Sequence, residues 1–130
     1  MNWTIRTLAL VGAGLSLGAA TPRALETAAP GLWEIGRSAN GVGARPMCIA
    51  NPIILSQWEH RSGRCTRVII SDEGNKTIIH YTCADGGFGR SEMTLVTPRM
   101  LRVATQGIIR GDGPFNYTLH ARRVGNCPPR

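Results

Sequence analysis

From Arg64 to the C-terminus, hydrophobic and polar positions alternate with the two-residue period of a half-buried strand, and β-branched residues are frequent. Turn-forming residues interrupt the alternation at short intervals, which predicts an antiparallel meander. Cys65 to Ile70 and Lys76 to Cys83 make its first hairpin around Asp72-Glu73-Gly74-Asn75, whose Gly and Asn tolerate positive φ. Three further strands, Phe88 to Thr97, Met100 to Ile109 and Phe115 to Val124, are separated by Pro98-Arg99 and by Gly111-Asp112-Gly113-Pro114. In the last, Phe115, Tyr117, Leu119 and Ala121 share a face, opposite Asn116, Thr118, His120 and Arg122. One face is therefore core and the other is wet.

Upstream, Leu32-Trp33-Glu34-Ile35 reads as a strand with Trp33 and Ile35 on one side and Glu34 on the other. The glycine-dense run Ser38 to Pro46 reads as a loop that delivers the chain to Cys48. Asn51-Pro52 is a helix start, because Asn caps free amides and Pro at the first position has no amide to satisfy. A short helix over Pro52 to His60 would lay Ile54, Leu55 and Trp58 on the sheet, with its polar side outward, and end at Ser62-Gly63. The fold class is mainly β (α+β): a single antiparallel sheet or meander of about six strands with one short helix.

The N-terminus carries different information. Arg6 precedes an apolar run from Leu8 to Leu17, and Gly18-Ala19-Ala20 supplies small residues before a cleavage point after Ala20. Residues 1–20 are thus read as a signal peptide, Thr21 to Ala29 as a flexible leader, and residues 30–130 as a single β-rich domain. The apolar run is shorter than the roughly 20 residues of a spanning helix, and no cysteine follows it for lipid attachment. The product expected is a periplasmic monomer without a transmembrane span.

Export gives the four cysteines their meaning, since an oxidising compartment favours disulfides in small domains. A three-residue loop from Glu73 to Asn75 sets Cys65 opposite Cys83, where Cβ atoms lie about 4.5–5.5 Å apart. Elimination then pairs Cys48 with Cys127. The spacings contain no C-x-x-C, so neither a thiol exchanger nor a metal knuckle is indicated.

Pro30-Gly31-Leu32-Trp33-Glu34, two hairpin cysteines, and Arg122-Arg123-Val124-Gly125-Asn126-Cys127 occur in that order along the chain. In this pattern the chain resembles a family of small exported proteobacterial proteins of unknown function, from Pro30 to Cys127. The resemblance implies a periplasmic β-rich domain and brings no catalytic residues with it.

Net charge is +7, and +6 once Arg6 is removed, with Lys76 the only lysine. Genomic base composition favours arginine over lysine on its own account; the functional reading is an arginine-rich surface that meets an anionic envelope component or a periplasmic protein. No nucleic-acid-binding signature is present. His60, His80 and His120, with Glu59 beside the first, lack metal-ligand spacing, and no motif for a cofactor is present. The serines form no G-x-S-x-G elbow, and Asp85-Gly86-Gly87-Phe88-Gly89-Arg90 reads as a hairpin connection rather than a phosphate cradle. No catalytic residue is assigned. Trp33, Glu34, Arg122 and Arg123 are the candidate surface, with Trp33 a core anchor or a groove wall and Glu34 a cross-strand partner of Arg122. The leading reading is a non-enzymatic binding module. The alternative is an envelope enzyme assembled from His80, His120, Glu34 and Arg122.

Overall fold

The structure is a computed structural model that describes Gly12 and residues 21–129. Apart from Gly12, the expected signal segment lies outside the described residues. Seven strands form one antiparallel sheet: β1 (Gly31–Gly36), β2 (Arg45–Ile49), β3 (Cys65–Glu73), β4 (Lys76–Cys83), β5 (Phe88–Thr97), β6 (Met100–Ile109) and β7 (Gly113–Gly125). Their order is β2-β1-β7-β6-β5-β4-β3, so a five-stranded meander is extended by β1, which lies against β7, and by β2 at the outer edge.

The seventh strand corrects the expected six. It is β2, which lies partly within the run read as a loop. Its residues are exposed except Ile49, and Pro46 interrupts its donors, so it carries no alternation to read. Such a strand is stable only at an edge, where a missing amide faces away from the ladder. Its partner β1 and the Cys48–Cys127 disulfide hold it in place.

The first hairpin keeps the expected cysteine register for a different reason. Gly74, at φ +60, and Asn75 make a two-residue turn, one residue shorter than expected. An extra residue, Ile70, bulges from β3 between Ile69 and Ser71 and restores the register, so Cys65 stands opposite Cys83 and the two are bonded.

The helix spans Pro52–His60, and the Asn51 side chain accepts from the Ile53 amide at 3.2 Å. It is a 3₁₀ helix interrupted at Gln57 (φ −131, ψ 41), and this reverses the expected orientation. Leu55 is buried as expected, but so are Ser56, Gln57 and His60, while Ile54 and Trp58 are only half-buried. The tighter winding and the break rotate polar residues onto the sheet, where a 3.6-residue period would have turned them outward. The expected leader, Thr21 to Ala29, also holds a turn of structure. A 3₁₀ turn at Arg23–Leu25 buries Ala24 and Leu25, the Arg23 amide donates to Asp72 Oδ1 at 2.9 Å, and the Ala24 amide donates to Thr77 Oγ1 at 3.0 Å. Two apolar residues are too few to show periodicity, yet they cover one end of the sheet.

The core lies between helix and sheet, with Trp33, Ile35, Leu101, Val103, Leu119 and Met93 beneath Leu55. The opposite face of the sheet carries no helix among the described residues and presents the alternating polar residues of β4 to β7.

Candidate binding surface and arginine-lined trough

Of the candidate surface residues, Trp33 is a core anchor at 1% exposure, its Nε1 donating to the Ala29 carbonyl at 3.1 Å. Glu34 stands opposite Arg122 on the outer face, and their side chains form a half-exposed ion pair at 3.3 Å. Arg123 Nε donates to the Pro30 carbonyl at 3.1 Å and its Nη2 to Asn126 at 2.9 Å. A Cβ on Gly31 would stand 2.5 Å from the Gly125 carbonyl oxygen and 2.6 Å from Arg123 Nε, so only glycine leaves room for that guanidinium. The Pro30-to-Glu34 segment and the Arg122-to-Cys127 segment therefore fasten β1 to β7 as a unit.

The dispersed set is only partly assembled. Glu34, His120 and Arg122 line one shallow hollow, but His80 is on β4, three strands from β7. His80 stands in register with Arg90 of β5 on the outer face, whereas His60 is buried beneath the helix. The three histidines therefore do not converge. Among the described residues no group of three or more His, Cys, Asp or Glu is placed to hold a metal.

The inward polar side of the helix meets a hydrogen-bonded network. His60 Nδ1 lies 2.9 Å from the Tyr81 hydroxyl, Gln57 Nε2 donates to the His60 carbonyl at 3.1 Å, and Ser91 Oγ donates to the Ser56 carbonyl at 2.7 Å. Arg67 donates to Gln57 Oε1, and Tyr117 donates its hydroxyl to Glu59. Burial, then the Glu59 charge, pushes the Tyr81 phenol up to about 12. Burial and the bond to Glu59 raise Tyr117 as well. Phenols held this firmly in the neutral form donate hydrogen bonds but do not act as bases near neutral pH. The network fixes the helix on the sheet.

Beside it, sequence reasoning missed a trough. The β1–β2 arm contributes Arg37, Arg45, Val42 and Met47, the helix end contributes Trp58 and Arg61, and Ile35 and Leu119 form the floor. Its volume is about 430 Å³. Arg45 and Met47 stand opposite Ile35 and Trp33 in the β1–β2 register, which sets them on the inner face. Arg37 stacks on the Tyr117 ring, its Cζ 3.4 Å from the centroid, and Arg61 stacks on Trp58 at 4.5 Å. A signal was present: Arg37 and Arg45 flank the glycine-rich run, and reading that run as a hairpin would have brought them together.

Among the described residues only two ion pairs form, Lys76 with Glu92 at 2.8 Å and Arg122 with Glu34. Lys76 and its hydrogen bond pull the Glu92 carboxyl below the usual range. Among the described residues Arg90 and Arg102 on the outer face, and all three trough arginines, form no ion pair, although Arg90 and Arg102 help to hold the Glu92 carboxyl down. Among the described residues no helix is long and apolar enough to cross a membrane.

Fold and site define a disulfide-clamped β-sheet protein with a short helix on one face and exposed arginines at the surface. Residues 28–127 match the family described as Protein of unknown function (DUF3617), and the chain belongs to that family. No curated protein and no solved structure matches the chain.

Proposed function

We propose that the chain is an exported, non-enzymatic binding module that presents arginine to an anionic component of the cell envelope. The observation that carries this reading is the set of exposed guanidiniums that form no ion pair among the described residues: Arg90 and Arg102 on the outer face, and Arg37, Arg45 and Arg61 at the trough. Two disulfides suit an oxidising compartment, and the Arg6 to Ala20 pattern suits export to the periplasm. An arginine fork matches phosphate and carboxylate geometry, and unpaired exposed cations attract anions without first breaking internal bonds. The test is co-sedimentation of the chain from Thr21 onward with phosphatidylglycerol vesicles. Retention at low salt that falls steeply by about 0.5 M, where screening acts within a few ångströms, is expected. Retention should also weaken in the Arg90→Gln/Arg102→Gln variant. No retention at any ionic strength would sink the reading, and a discrete cross-linked protein in its place would reassign the surface to a protein partner.

A further inference from the structure

We propose that the trough between the β1–β2 arm and the helix end is a binding site for a medium-chain fatty acid. Arg37, Arg45 and Arg61 hold the carboxylate, and the accessible side chains of Val42, Met47 and Trp58 take the chain. The inference rests on the binding reading above and names the ligand class of one part of that surface.

The lining has two chemistries and lacks a third. Guanidiniums from three separate segments converge on it, and the rest of the contact surface is built mainly from Ile35, Met47, Trp58, Leu119 and Val42. Its side chains include no Asn, Gln, Ser, Thr, Asp or Glu. A sugar or a peptide needs donors and acceptors in alternation, and this wall offers side-chain donors alone. A ligand whose polar end only accepts hydrogen bonds, and whose remainder is apolar, satisfies every group present.

Electrostatics point the same way. Glu59 is the acid nearest in sequence to Trp58 and Arg61, and its carboxylate is engaged by the Tyr117 hydroxyl. Two of the three guanidiniums lie over rings, Arg37 over Tyr117 and Arg61 over Trp58, and Arg61 Nη1 also donates to the Trp58 carbonyl at 3.0 Å, so both are held in place before any ligand arrives. Arg45 makes no side-chain hydrogen bond or ion pair among the described residues and is free to close on a carboxylate. Planar forks of this kind bind a carboxylate by two parallel bonds. Met47, an unbranched and adaptable side chain on the edge strand, can follow the contour of an acyl chain. A volume of about 430 Å³ falls within the range of clefts that bury small ligands.

Calorimetric titration of the chain with dodecanoate below its micellar concentration tests the assignment. Acetate serves as the head-only control and dodecyltrimethylammonium as the chain with the wrong charge. Saturable binding of dodecanoate is expected, weakened about tenfold or more in Arg45→Gln and in Met47→Glu, and unchanged in Arg99→Gln, an exposed arginine outside the trough. Neither control should bind. Thermal melts report whether the variants fold, and Arg45→Gln, which breaks no contact, carries the test alone if Met47→Glu does not. Equal binding of acetate, binding of the cationic surfactant, or dodecanoate binding indifferent to both trough variants overturns the site. Vesicle retention that persists without dodecanoate binding removes this inference and keeps the binding reading, whereas loss of both removes both.

Discussion

Two residues of β1 show how differently positions in one short motif can act. Glu34 forms a half-exposed ion pair, and pairs of that kind contribute little because water screens them. Glu34→Gln should lower stability by no more than about 1 kcal/mol and leave vesicle retention unchanged, as read by urea unfolding and co-sedimentation. Gly31 is different, since any Cβ there meets backbone as well as the Arg123 guanidinium. Gly31→Ala should cost about 1–3 kcal/mol, and an unfolding midpoint equal to wild type would refute the fastening role given to Arg123. Trp33 as core and Glu34 as the partner of Arg122 were both legible, because alternation assigns faces within a strand. The Arg123 bonds were not, since they depend on how close Pro30 and Gly31 come to β7.

At the scale of elements, β2 and the helix were read least well. Backbone pairing and the Cys48–Cys127 disulfide, which closes a separation of 79 residues, hold β2 on the sheet. On the loop-entropy model that bridge is worth roughly 4–5 kcal/mol, and the shorter Cys65–Cys83 bridge roughly 3 kcal/mol. Replacing Cys48 and Cys127 by Ser should therefore lower stability by about 2–5 kcal/mol. It should also raise hydrogen exchange over Arg45–Ile49 before it does so over β5 and β6. Uniform exchange across all strands would mean that β2 is not held separately. The helix bounds, Pro52–His60, followed from Asn51 and Pro52, whose capping chemistry is local. Its buried face did not, because a break at Gln57 depends on what the sheet offers to Gln57 and His60.

At the scale of the whole molecule, the phenols beneath the helix set a pH dependence. Tyr81 is raised to about 12 and Tyr117 is also raised, while an unfolded phenol releases its proton near pH 10. Between about 10 and 12 the unfolded chain therefore binds fewer protons than the native one, so stability should fall as pH rises through that interval. Below about pH 10 both states keep these protons and the tyrosines contribute no slope. Urea unfolding from pH 7 upward checks this, and a Tyr117→Phe variant should show a shallower alkaline loss. An unchanged slope in that variant would place the loss elsewhere. The sequence alone determined what repeats locally: strand periodicity through β4 to β7 and the cap at Asn51. Those features arise between near neighbours, where period and turn chemistry dominate. Only the tertiary structure decided what depends on sheet order. Val68, Ile69 and Ile70 have core composition but are 55%, 45% and 58% exposed, because β3 lies at the edge. Arg37, Arg45 and Arg61 look scattered along the chain but meet at one trough, because β1 pairs with β2 and the helix ends beside them. Burial and charge clustering are sums over partners distant in sequence, so no local pattern carries them.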